Sequence, residues 1–90
     1  MTLGPDDLGV YLCDHVFDNT RPILYVSRSD GDWQFLCGGD HPAGAVPHVV
    51  GLGHILDRDP SIRELESLPT DWEAERVVVG GPWKRTPATA

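Results

Sequence analysis

Positive charge is scarce in this 90-residue chain: seven Lys and Arg stand against fourteen Asp and Glu, a formal net charge of −7. The basic residues are scattered, which argues against nucleic acid as a direct ligand, because phosphate binding needs grouped Lys and Arg. Long apolar runs are missing too. No stretch approaches the roughly 20 residues that cross a bilayer, so no membrane association is expected. The start, Met1 to Asp7, is acidic and lacks the basic residues and apolar stretch of a signal peptide, and the chain reads as cytoplasmic. Only two cysteines are present. In a reducing compartment they read as thiols or metal ligands rather than a Cys13–Cys37 disulfide. There is no nucleophile elbow, phosphate loop or helical zinc-protease signature, and Gly38-Gly39 lacks the following Gly and helix of a dinucleotide loop. The expectation is a protein that is not an enzyme.

What is there is a split quartet of soft ligands: Cys13-Asp14-His15, then Cys37-Gly38-Gly39-Asp40-His41. It contains both cysteines and two of the four histidines. Two thiolates and two imidazoles make the donor set of a closed tetrahedral zinc site, so Cys13, His15, Cys37 and His41 are the candidate ligands of a structural zinc. The spacing C-x-H…C-x3-H is not the C-x2-C knuckle of common zinc ribbons. In an extended segment over residues 10–15, Cys13 and His15 would share one face. Gly38-Gly39 would let the backbone turn His41 back toward Cys37. The alternative is two buried cysteines with solvent-facing histidines, since unpaired thiols are among the most buried groups. His48 and His54 are spare imidazoles, either of which could replace a member of the quartet. A cysteine nucleophile beside a histidine base would need a third group to orient that base, and Asp14 and Asp40 are only adjacent in sequence. A redox thiol pair completes the alternatives.

Ninety residues make one domain with a modest core, which a metal would supplement. Residues 1–7 and 84–90 read as loose termini. Leu8 to Phe17 reads as a first strand. Ile23–Arg28 and Trp33–Cys37 form a hairpin about the turn Asp30-Gly31, with Arg28 opposite Trp33, Val26 opposite Phe35 and Leu24 opposite Cys37. Leu24, Val26, Trp33, Phe35 and Cys37 then face the core, while Ile23, Tyr25, Gln34 and Leu36 lie on the other side. Arg28 is placed to lie over the Trp33 ring.

Gly38 to Pro47 is loop by composition, and Val49–Leu56 begins as a strand and turns helical. Asp59-Pro60 starts a helix over Pro60–Ser67 that buries Ile62, Leu65 and Leu68 and ends at Pro69. Asp71 to Arg76 reads as a turn of helix or loop, and Val77–Val79 as a last strand. Trp83 caps the core edge, and Trp72 and Trp83 serve either as core lids or as anchors for a partner. The carboxylates Asp57, Asp59, Glu64 and Glu66 read as solvated helix-end charges. The fold class is α+β: a small, mainly antiparallel sheet of three to four strands with one or two short helices packed on it.

Over residues 10–76 the chain resembles a known family. The segments Asp30-Gly31-Asp32-Trp33-Gln34-Phe35-Leu36-Cys37-Gly38-Gly39-Asp40, Val50-Gly51-Leu52-Gly53-His54-Ile55-Leu56 and Asp59-Pro60-Ser61-Ile62 look like domain-of-unknown-function family 2185, also called immunity protein 33. This chain has Cys37-Gly38-Gly39-Asp40-His41 where that family more often shows Ser-Gly-Asp followed by acidic residues. The resemblance implies a small α+β fold and a binding protein that neutralises a toxin partner. It supplies no catalytic residues and is silent on the metal. An acidic surface suits a basic protein partner, whose approach it would speed. The other functional readings are a zinc-stapled regulatory or adaptor domain without a toxin partner, and a small thiol-dependent enzyme.

Overall fold

Alternating apolar side chains and the tight Asp30-Gly31 turn organise the chain around one six-stranded sheet. The structure, a computed structural model, describes residues 4–39 and 47–88. The strands are β1 (Gly9–Leu12), β2 (Tyr25–Ser29), β3 (Asp32–Leu36), β4 (His48–Gly51), β5 (Trp72–Glu75) and β6 (Lys84–Pro87). Their order across the sheet is β4-β1-β3-β2-β5-β6. β1 and β3 run parallel, and the other neighbours are antiparallel. Helix α1 (Asp14–Phe17) follows β1, helix α2 (Leu52–Arg58) follows β4, and a 3-10 helix (Pro60–Leu65) comes next. The class remains α+β. The expected sheet of three to four strands is corrected to a six-stranded mixed sheet with three short helical segments.

The hairpin forms in the expected register, with Val26 opposite Phe35 and Arg28 opposite Trp33. Asp30 and Gly31 have φ of 54° and 87°, the paired positive values that a tight two-residue turn requires. The Arg28 guanidinium lies 5.1 Å above the Trp33 ring, and its Nη1 donates to the Leu68 carbonyl at 2.8 Å. Asp59 caps the 3-10 helix as expected, accepting from the Ser61 amide at 3.1 Å, with Pro60 in the first turn. The element is 3-10 rather than α-helical and buries Ile62 and Leu65 completely, with Leu68 buried in the segment that follows it.

Four expectations fail for identifiable reasons. The first strand stops at Leu12, and Asp14 begins a helix whose Val16 carbonyl accepts from the Arg58 guanidinium, which also donates to the Arg21 carbonyl in the loop beyond. A four-residue helix is unstable alone, so this tertiary cap helps hold it. The last-strand reading of Val77–Val79 is wrong. β5 lies at Trp72–Glu75 instead, while Val77 is 88% exposed in a turn closed by the Gly81 amide on the Val78 carbonyl. Residues 84–87 are not loose, because they pair with β5 as an edge strand. Nor are residues 4–7 loose: the Asp6 carbonyl accepts from the Gly53 amide at 2.9 Å. Residues 1–3 lie outside the described residues.

All buried strand side chains share one face. Val10, Leu12, Val26, Trp33, Phe35 and Ala74 point into a core completed by Val16, Leu52, Ile55, Leu56, Ile62 and Leu65 from the helical segments. Each fully buried aliphatic or aromatic side chain there contributes about 1.5–3 kcal/mol. Ile23 is buried in this core, whereas Leu24 is half-buried. This reverses the expected facing, since β2 becomes regular only at Tyr25. Trp72 and Trp83 pack against the core as partly buried lids.

On the opposite face the Tyr25 hydroxyl donates to a Glu73 carboxylate oxygen. Partial burial, with the Glu73 carboxylate beside it, pushes the Tyr25 phenol up to about 12. An alkaline titration followed by phenolate absorbance should therefore show a step near 12 that Tyr25→Phe removes. Ionisation of Tyr25 near about 10 would contradict this arrangement.

Candidate metal centre

The parallel pairing of β1 with β3 builds the site. Leu12 aligns with Phe35, so the two strands finish side by side at their carboxyl ends, and the next residues along each bring Cys13 and Cys37 together. Cys13 is extended (φ −78°, ψ 168°) at the start of α1, and its side chain makes no capping bond. The chain then turns helical and delivers His15 to the same place. Single-face alternation along a strand, the route expected from the sequence, is not how the two residues meet.

The ligand atoms of Cys13, His15 and Cys37 all lie within 4.8 Å of one another. His15 Nδ1 is 3.4 Å from Cys37 Sγ. In a tetrahedral zinc site the donor separations are about 3.6 Å, given Zn–S near 2.3 Å and Zn–N near 2.0 Å. The widest separation therefore closes by about 1 Å of side-chain adjustment. Two sulfurs and an imidazole suit a soft or borderline ion such as zinc and disfavour calcium or magnesium, which take oxygen ligands. Both cysteines are thiols rather than a disulfide and nearly buried, at 8% and 6% exposure, while His15 is half-buried.

The backbone beyond β3 is shaped around this point. Gly38 has φ 79°, which turns the chain sharply as the glycine pair suggests. The Gly39 amide then donates to Cys37 Sγ at 3.4 Å, fixing the sulfur's orientation. A Cβ on Gly39 would come 2.7 Å from Arg21 Nη1 and 3.6 Å from Cys37 Sγ, so only glycine fits this turn without displacing the Arg21 side chain. His41, the fourth candidate ligand, lies outside the described residues together with Asp40.

His48 is engaged elsewhere. Its Nε2 is 2.6 Å from Asp14 Oδ1, and its ring stacks on Phe17 at 4.1 Å between centroids. Asp14 thus pairs with a histidine, but not with the His15 that a cysteine nucleophile would need oriented. His54 is exposed on α2. Neither belongs to the Cys-His-Cys group.

The most elaborate polar arrangement was missed in the sequence. The Arg76 side chain is fully buried against Asp59. It donates to the Ile23 carbonyl from Nε (3.1 Å) and Nη2 (2.9 Å), to Ser61 Oγ from Nη1 (2.7 Å), and to Asp59 Oδ2 from Nη2 (2.6 Å). Its guanidinium also lies 4.2 Å above the Trp83 ring. The signal was the alternation Trp72, Ala74, Arg76, which puts Arg76 on the core face once β5 is read as a strand.

Asp59, expected to be a solvated helix-end charge, is a structural ion instead. Burial pushes its carboxyl up, and the Ser61 and Arg76 hydrogen bonds more than reverse this, holding it below its usual 3.8. A depressed carboxylate stabilises the fold above its unfolded pKa and loses that contribution in acid. The stability gap between wild type and Asp59→Asn should therefore narrow as pH falls below about 4, in urea melts at stepped pH. A gap independent of pH would contradict the ion pair.

Among the described residues no helix is long and apolar enough to cross a membrane. The chain matches no family model, no curated protein and no solved structure.

Proposed function

We propose that this chain is a non-enzymatic protein-binding domain stapled by one structural zinc. The carrying observation is the Cys13–His15–Cys37 group at the ends of two adjacent parallel strands. An ion there would tie β1, α1 and the turn after β3 into one unit, a useful supplement for a core of this size. Cys13, His15 and Cys37 would hold the zinc, with His41 proposed as the fourth ligand. Burial of the thiols supports a structural rather than a catalytic role. Among the described residues, the cavities of about 590, 340 and 230 Å³ are lined by residues other than Cys13, His15 and Cys37, although the smallest reaches Gly38 and Gly39. Neutralisation of a toxin, implied by the sequence resemblance, is the specific form of binding we favour.

Zinc K-edge absorption on protein purified without added metal tests the staple. The expected shell has two sulfurs near about 2.3 Å and nitrogen near about 2.0 Å. A shell of oxygen and nitrogen alone would sink this reading. Thiol-dependent turnover without a stoichiometric protein partner would favour an enzyme instead.

A further inference from the structure

The helical segments supply buried side chains to only one face of the sheet. On the other face the register sets Tyr11 beside Gln34 and Val49, and Ser27 between Gln34 and Glu73. Tyr11, Gln34 and Leu36 are half-buried there, and Val49 is 62% exposed. The face is not flat. Tyr11, Gln34, Leu36, Asp30 and Asp32 line a depression of about 340 Å³.

The charge of this face is mainly negative. Asp32 on β3 and Glu73 and Glu75 on β5 share it, with Asp30 at the hairpin tip, and the one cation that the register places there is Lys84, opposite Glu75. The chain as a whole carries −7. An aromatic and aliphatic centre with an acidic border complements a surface in which Lys or Arg surround apolar side chains. Nucleic acid and anionic lipid would be repelled.

We infer that the helix-free face of the sheet, centred on Tyr11, Gln34 and Leu36, docks a basic protein partner. This rests on reading the chain as a binding protein, but it does not require the metal. The centre supplies desolvated contact area, while Asp32 and Glu75 select the partner by charge. Both carboxylates are exposed, so they can be reversed without opening the core.

The test uses the full chain, labelled with nitrogen-15, and two probes: a soluble strand peptide alternating Lys with Val and Tyr, and the same peptide with Glu for Lys. The basic peptide should shift the amides of Tyr11, Ser27, Gln34 and Glu73, and the acidic peptide should shift none. The Asp32→Lys/Glu75→Lys variant should weaken binding at least tenfold. Asp57→Lys/Glu64→Lys, which makes the same charge change on the helical layer, should weaken it less than twofold. Thermal melts of both variants confirm folding. Equal weakening by the two variants would reduce the effect to net charge and overturn the inference. Shifts confined to the helical layer would overturn the face while leaving a binding protein. Absence of binding at any surface would count against both. The same amides shifting on dilution without peptide would assign the face to a second copy of this chain, which also contradicts the proposal.

Discussion

Arg76→Ala should lower stability by about 3–5 kcal/mol, the range for removing one member of a buried ion pair. The loss has three parts. Asp59 would keep a charge with its main partner gone, and its side chain is only 13% exposed. The Ile23 carbonyl and Ser61 hydroxyl would lose donors inside the protein. The Trp83 ring would lose the cation packed on it. For a domain of this size each kcal/mol is about 4–8 °C in melting temperature, so Tm should fall by at least about 12 °C.

Arg76→Lys should recover little, because one ammonium cannot reproduce the planar fork that reaches Ile23, Ser61 and Asp59 together. Adding Asp59→Asn to Arg76→Ala should give back part of the loss by removing the orphaned charge. Urea melts of the single and double variants measure this coupling. Strict additivity of the two substitutions would show that the pair is not an energetic unit.

The second large effect belongs to the metal. A ligand that binds only the folded state stabilises by about 4 kcal/mol when its free concentration is a thousandfold above Kd. Stripping a native zinc with chelator should therefore lower Tm by at least about 16 °C. Cys37→Ser should do the same, and chelator should add little further in that variant. The affected region is predictable, since Cys13 starts α1, His15 lies within it and Cys37 follows β3. Amide exchange should quicken at the ends of β1 and β3 and in α1, and least in the β5–β6 pair. Equal melts with and without chelator would mean that packing alone holds these elements.

Local chemistry made part of this legible in the sequence. The positive φ values at Asp30 and Gly31 follow from a turn type that few residue pairs tolerate, and that turn fixed the β2–β3 register. Asp59 ahead of Pro60 marked a helix start by the same kind of argument. What stayed hidden depends on long-range pairing. β5 carries Glu73 and Glu75 outward, so its sequence lacks the β-branched residues that mark a strand, whereas Val77–Val79 has them and sits in an exposed turn. β6 exists because β5 offers it an edge, since in Lys84-Arg85-Thr86-Pro87 only Thr86 favours a strand by itself. The sheet therefore came out wider than expected.

The candidate site was found for a partly mistaken reason. Cys13, His15 and Cys37 do converge, but through a strand-to-helix turn beside a parallel neighbour. Composition showed the donors, and topology supplied their meeting point. Asp59 was misjudged for a related reason: its partner Arg76 lies seventeen residues away in sequence, across a strand that was not recognised.

Native mass spectrometry of protein purified without added metal and without chelator tests the central claim most directly. The account predicts the mass of the chain plus one zinc ion less two protons, because both thiols bind as thiolates. It predicts loss of that increment in Cys13→Ser and Cys37→Ser. A spectrum showing only the metal-free chain, with both cysteines confirmed as reduced thiols, would contradict it.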